Sequence, residues 1–300
     1  MYLIIKRTGG TVMKKYSILF LSFLLLMTFP FGAFADVTVG DKIVTVGQNL
    51  TTGQRTQILN ELGATSSTQI VTVTNQEEQQ YLGNLVPKAM IGTRSISSSS
   101  ITYTATGSGL NVSTNNITWV TNQMYLNALI TAGVKDANIV VTAPFSVSGT
   151  AALTGIMKAY EVSSGTVIPD NVKQAANTEM VQTAKLGDHI GPNNAAKLVA
   201  KVKSMIAQNP PQNDSQLRDI INQAAKELGI TLTDSQVQSL VDLFDKLKSL
   251  NINWKQVGDQ IDQASNQVTN YLHSPRGQTF LDKLKQFFDS FFNAVKALFS

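Results

Sequence analysis

The sequence predicts an α/β (or α+β) N-terminal domain, a mixed sheet with flanking helices, followed by an all-α C-terminal region. Three observations predict it. Residues 36–162 are rich in Thr, Ser, Val, Ile and Gly and carry 13 charged residues, whereas 163–300 carry 27 and are rich in Gln, Asn, Ala, Leu and Lys. Short β-branched blocks alternate with helical runs in the first part. Apolar residues in the second recur at three and four positions, the period of a half-buried helix. The change falls at Ser163-Ser164-Gly165, with Pro169 just beyond. On this reading 1–35 is a signal peptide, 36–162 an α/β domain, 163–250 a helical domain and 251–300 a pair of amphipathic helices.

The N-terminal stretch carries its own signals. Lys14-Lys15 precede an almost wholly apolar run, Tyr16 to Phe31, and Ala33-Phe34-Ala35 supplies a small-x-small cleavage pattern. The expected product is secreted, cleaved after Ala35, with translation starting at Met13. The competing reading, a retained anchor, needs a longer apolar run. Net charge is +4, from 24 basic and 20 acidic residues. Lys6, Arg7, Lys14 and Lys15 all precede Asp36 and no acidic residue does, so the mature chain holds 20 of each sign. A neutral chain lacks the basic surface that releases counterions from nucleic acid, and no nucleic-acid partner is expected. There is no cysteine. That excludes thiolate chemistry and a lipidated-cysteine anchor, and it suits bacterial export more than a eukaryotic secretory route.

In chain order, Lys42 to Val46 reads as a short strand, followed by a helix from Thr51 or Thr52 to Leu62, stopped at Gly63. Ile70 to Val73 reads as a buried strand. Asn75 then caps a helix with Glu77 and Glu78 in its first turn, where the helix dipole favours acids. Residues 95–113 read as a hairpin: Ile101, Tyr103 and Ala105 alternate, Gly107-Ser108-Gly109 turns, and Leu110 and Val112 alternate. Ile139 to Thr142 is a β-branched strand ended by Pro144. Ser146, Ser148 and Thr150 then start a helix over 151–160, whose few charges predict packing on most sides. A repeat can be traced: Asn49-Leu50-Thr51, a helix, Gly63 and Ile70-Val71-Thr72 are echoed by Asn116-Ile117-Thr118, a helix, Gly133 and Val140-Val141-Thr142. Generic helix–Gly–strand units also look alike in this way.

The second part predicts helices over 172–186, 193–207, 216–228, 233–247 and 252–272. Pro210-Pro211 and Gly229 separate three of them, and Thr233 with Gln236 forms a capping box. The last helix, Thr279 to Phe299, carries Phe280, Leu284, Phe287, Phe288, Phe291, Val295, Leu298 and Phe299 on one stripe. Such a stripe is core, a helix–helix seam, or an interfacial membrane face. It is where contact with the cell wall or a membrane surface is expected, and it leaves an oligomer open.

Catalytic motifs are missing. His189 and His273 lack metal-ligand spacing, and no HExxH, Walker loop, GxGxxG or GxSxG is present. No metal and no cofactor is expected. The serines of 95–100 read as a polar strand entry or loop. A Ser148–Lys158 dyad falls on different helical turns, and Glu61, Glu77 and Glu78 are accounted for as ordinary helix residues. One candidate ligand site remains, at Ser146, Ser148, Gly149 and Thr150, where a strand meets a helix N-terminus. The plainer reading of that turn is capping, for which Ser148→Ala would cost about 1 kcal/mol.

The runs TAPFSVSGTAALTGIMKAYE, IGTRSISSSS, NITWVTNQMYLNALITAGV and TNQEEQQYLG resemble the YpuA-like family of bacterial extracytoplasmic proteins from spore-forming Gram-positive lineages. The resemblance covers roughly Asp36 to Lys203, weaker through Leu250. It implies secretion and a shared architecture. It brings no activity and no catalytic residues. The expected function is therefore a secreted, non-catalytic cell-envelope binding or structural protein. The alternative is an extracellular hydrolase of cell-wall glycan or peptide.

Overall fold

β-Branched blocks become strands where both backbone edges can pair, and the computed structural model, which describes residues 37–83, 85, 93–274 and 278–279, places five of them in one sheet. The signal segment, its cleavage site, Met13 and the 280–299 stripe lie outside the described residues. The strands are β1 (Lys42–Gly47), β2 (Gln69–Val73), β3 (Ser98–Tyr103), β4 (Leu110–Ile117) and β5 (Ala137–Val147). Their order is β2-β1-β3-β5-β4. β1 and β2 pair in parallel, as do β4 and β5, while β3 runs antiparallel to both its neighbours. The mixed α/β architecture read from the sequence is the one observed.

Three local expectations are corrected. The hairpin over 95–113 does not form, because β5 inserts between β3 and β4. β5 is apolar on both faces: Ala137, Ile139 and Val141 are buried on one, and Val140 packs into a cluster on the other. Two-sided burial suits a central strand. β4 alternates Leu110 and Val112 with Asn111 and Ser113, the one-sided pattern of an edge. Pro144 does not end its strand. β3 pairing stops at Thr142 and the β4 register slips between Asn115 and Ile117, so Pro144 sits where the ladder is already irregular. Asn116 takes a positive φ of 57° there and its amide donates to the Ala143 carbonyl at 2.8 Å. β2 is not a buried strand but an edge, with Ile70 exposed.

Helices α1 (Thr52–Glu61) and α2 (Asn75–Leu82) both begin with capping boxes, Thr51 with Gln54 and Thr74 with Glu77. The cap of α2 is thus Thr74, not Asn75. α3 (Asn122–Thr131) is buried from Met124 to Thr131, all round, and so lies inside the core. α4 (Thr150–Ser164) lies close on the sheet. A Cβ on Gly155 would come within 3.0 Å of Val73 and Thr45 side-chain atoms, so the approach needs glycine. α1 covers Val44, Val46 and Val140, while α3 and α4 cover the opposite face with Ile43, Ile101 and Ile139. The traced repeat corresponds to two parallel units, β1-α1-β2 and β4-α3-β5. They differ in strand neighbours and in the face that the helix covers.

The composition change near residue 163 coincides with the end of α4, and the same core continues past it. α5 (Asp170–Ile190) and α6 (Pro192–Gln208) add Val172, Ala176, Met180, Ala184 and Ala196 to the sheet-covering cluster. α9 (Trp254–His273) returns Val257 to it. A second cluster joins α5 and α6 to α7 (Asp214–Glu227) and α8 (Asp234–Lys248) around Leu198, Val202, Leu217 and Phe244. Chain contacts keep the residues from Val37 onward in one unit. No helix among the described residues is long and apolar enough to cross a membrane.

One polar network is sealed between these helices. Lys203 of α6 and Glu179 of α5 are both fully buried and pair at 3.0 Å. The ammonium also donates to the Asn127 carbonyl at 2.7 Å and to the Thr131 hydroxyl at 2.6 Å, both on α3. The Thr131 hydroxyl donates in turn to Glu179. Burial pulls the Lys203 ammonium below its ordinary value, and the Glu179 carboxylate opposes that pull. Removing one partner strands a desolvated charge. Lys203→Ala should therefore lower unfolding free energy by about 3–5 kcal/mol. Adding Glu179→Leu to Lys203→Met should restore most of the loss, measured by urea unfolding. A double variant as unstable as the single one would contradict this.

Candidate functional site

The strand-to-helix turn after β5 is closed by glycine, not by a capping side chain. Gly149 is the N-cap of α4 with φ 94°, and no side chain caps that helix. Two constraints demand glycine. The φ is left-handed, and a Cβ would lie 2.4 Å from the Tyr125 hydroxyl and 2.5 Å from Ile117 Cγ2. The buried Tyr125 hydroxyl donates to the Gly149 carbonyl and fixes the turn from α3. Burial pushes its phenol well above the ordinary range, so it stays a donor. The capping role expected of Ser148 is therefore corrected: among the described residues its hydroxyl approaches only Thr150 Oγ1, at 3.4 Å.

A cleft of about 290 Å³ opens beside this turn, lined among others by Glu78, Arg94, Ser97, Phe145, Ser148 and Thr150. Of the four residues singled out in the sequence, Ser148, Gly149 and Thr150 line it. Ser146 is exposed on β5 and is not part of the lining. The topology explains the convergence. β1 and β5 end at this edge of the sheet, β3 begins there, and β2 leads through Thr74 into α2. Ligand sites of open α/β sheets sit outside the carboxyl ends of the parallel strands. The rim is held by Asn49 just after β1. Its side chain accepts from the Ser95 N–H at 2.9 Å, and its carbonyl accepts from Arg94 Nη2 at 3.1 Å.

Glu78 is the residue that the sequence reading passed over. It is 1% exposed, its Oε1 accepts from Thr150 Oγ1 at 2.9 Å, and Asn75 Nδ2 lies 3.4 Å from its Oε2. Burial raises its carboxyl from 4.5 to about 7, against the two hydrogen bonds, which favour the charged form. Its neighbour Glu77 behaves oppositely. Burial opposes its ionisation, but Lys158 and the Thr74 donors outweigh it and hold the carboxyl below its ordinary value. Lys158 is thus committed to Glu77 and to the Thr72 carbonyl, not to Ser148. Glu61 lies across the sheet, where it accepts from Thr142 and Asn115. A signal for Glu78 existed: it stands four residues before Leu82, the buried apolar residue of α2, on the same helical stripe.

The remaining serines of 95–100 are buried, and Thr45 and Ser99 share a hydrogen bond at 2.6 Å. Ser98, Ser99 and Ser100 open β3 and Ser95 precedes it, as the strand-entry reading expects. His189 is exposed in a groove of about 320 Å³ between α5 and α8, with Gln182, Gln236 and Leu240. Among the described residues no His, Asp or Glu cluster could hold a metal.

These geometries give two checks. Ser148→Ala should change stability by no more than about 0.5 kcal/mol, whereas Gly149→Ala should cost about 1–3 kcal/mol, by thermal unfolding. Because the folded pKa of Glu78 is raised, its contribution is fully present below about 4.5 and lost as pH rises through about 7. The wild type should lose on the order of 3 kcal/mol relative to Glu78→Gln across that window. Parallel stability–pH curves for the two proteins would refute the assignment.

Residues 46–264 match the family model described as protein of unknown function (DUF1002). The chain is 50% identical over 276 residues to "Uncharacterized protein YpuA" of Bacillus subtilis (strain 168), covering 92% of this chain and 95% of that one. No solved structure matches. The family model runs from the end of β1 through the other four strands, the cleft and the helices into α9, and the chain belongs to this DUF1002 family.

Proposed function

We propose that the protein is a secreted, non-catalytic binding protein of the cell envelope, and that the cleft at the β5–α4 junction takes its ligand. One observation carries the reading. Three segments distant in sequence bring a buried carboxyl, a guanidinium, hydroxyls and the half-exposed Phe145 ring to one cleft at the carboxyl ends of the strands. Export is supported by the N-terminal pattern of basic residues, apolar run and Ala33-Phe34-Ala35. The stripe of Thr279–Phe299 would add a second contact with wall or membrane surface.

A second reading, a hydrolase of cell-wall glycan or peptide, has one point in its favour. Burial raises Glu78 to about 7, in the range where a general acid works near neutrality. Against it, Glu61 and Glu77 are engaged elsewhere and do not join Glu78 as a carboxylate pair.

One assay separates the two. The mature chain is incubated with purified Gram-positive cell walls, sedimented, and the supernatant analysed for released fragments. The binding reading expects co-sedimentation, weakened at least several-fold by Arg94→Gln, with no fragments released. Fragment release abolished by Glu78→Gln would establish the hydrolase instead. No sedimentation and no release would sink both.

A further inference from the structure

Resting on that binding reading, we propose that the cleft recognises an anionic oxyacid group, a carboxylate or a sulfate- or phosphate-type oxyanion, gripped between Arg94 and the protonated carboxyl of Glu78, so that capture is coupled to a proton.

The geometry supplies the argument. Arg94 and Glu78 line the same cleft, yet they do not form an ion pair, and Arg94 meets no carboxylate among the described residues. Among the described residues it donates to the Asn49 carbonyl, which anchors the guanidinium without neutralising it. A guanidinium held in this way presents its remaining N–H groups as a fork suited to an oxyacid. Ser97, Ser148 and Thr150 add hydroxyls along the same wall. A cationic ligand would meet Arg94 directly, so the cleft discriminates against it.

Glu78 determines when the anion can enter. As a carboxylate it would repel an oxyanion, and as a carboxylic acid it offers an O–H donor. Thr150 occupies Oε1, and among the described residues Oε2 has only the longer Asn75 contact at 3.4 Å, so Oε2 is the oxygen placed to carry the proton. The charged and titratable groups packed around it do not imitate this behaviour. On α2 itself Glu77 is paired with Lys158 of α4 and held below its ordinary value. From α3, Tyr125 is pushed up by burial. Towards α5, Tyr81 donates to Asp170, and Lys173 pairs with Glu161 and Asp170; burial raises Tyr81, and the carboxylates outweigh burial to raise Lys173. Glu78 is the member of this set brought to about 7. An arriving anion favours the protonated form further, so binding takes up a proton wherever Glu78 was ionised.

The test is a calorimetric titration of the mature chain with two probes, sodium sulfate and N-acetylglycine, at pH 5.5 and 8.5. Neither probe changes charge across that range. Both should bind more tightly at pH 5.5, by about tenfold or more. Repeating the pH 8.5 titration with a bound probe in buffers of different ionisation enthalpy should show proton uptake. The exposed Arg94→Gln variant should lose binding at both pH values, and Glu78→Gln should bind with a flat pH profile. Affinity that is equal at the two pH values or stronger at 8.5, or full binding by Arg94→Gln, would overturn the proposal. So would no heat from either probe at either pH. Cell-wall sedimentation is read separately: wall binding without anion binding would leave the binding reading standing and remove this inference alone. Sulfate without N-acetylglycine would identify the tetrahedral oxyanion source, and the converse a carboxylate.

Discussion

The buried pair of Lys203 and Glu179 is the contact on which the rest of the structure depends. Two fully desolvated charges are tolerable only when each finds its partner and its remaining hydrogen bonds. Here those bonds come from three helices at once, because α3 contributes the Asn127 carbonyl and the Thr131 hydroxyl. The network therefore fixes the position of α3 against α5 and α6. Tyr125 stands two residues before Asn127 on the same helix, and its hydroxyl holds the Gly149 carbonyl. The turn so held begins α4, whose first residue, Thr150, bonds Glu78. A charge pair in the helical layer is thus connected, through one helix, to the cleft at the edge of the sheet.

That chain of contacts runs across the change in composition. The Thr- and Ser-rich segment supplies the strands and, through α1, covers one face itself, but the core on the other face continues into helices of the Gln- and Lys-rich segment. The burial of α3 on every side makes sense only with α5 and α6 over it. The cleft in turn lies where several strands end together, and its lining comes from α2, the segment before β3, the end of β5 and the start of α4.

Much of this was legible in the sequence, and what was not has identifiable physical reasons. The helices of the second half announce themselves by three- and four-residue spacing, and Thr233 with Gln236 forms the expected capping box. Strand identity was readable, but strand partnership was not. Gly107-Ser108-Gly109 looks like a hairpin turn, yet β5, apolar on both faces, competes for the place between β3 and β4 and occupies it. Ile70 to Val73 has the composition of a buried strand, and only the sheet order reveals it as an edge. The turn Ser148-Gly149-Thr150 reads in the sequence as a helix cap, and the structure corrects that reading. The hydroxyls do not cap α4; Thr150 instead turns to a carboxyl from α2. Glu77 and Glu78 are adjacent and identical in sequence. Which of them is buried depends on the roll of α2 against α4, visible beforehand only as the four-residue step from Glu78 to Leu82.

The functional reading turns on the contrast between those two glutamates. Lys158 and the Thr74 donors hold one carboxyl below its ordinary value, and burial raises the other to about 7. Carbon-detected NMR titration of the labelled mature chain measures both in one sample, with Glu77 as the internal reference. Glu78 should titrate near pH 7 while Glu77 titrates below 4.5. A Glu78 midpoint near 4.5 would show a solvated carboxylate, and the cleft would then have no proton to couple to a ligand.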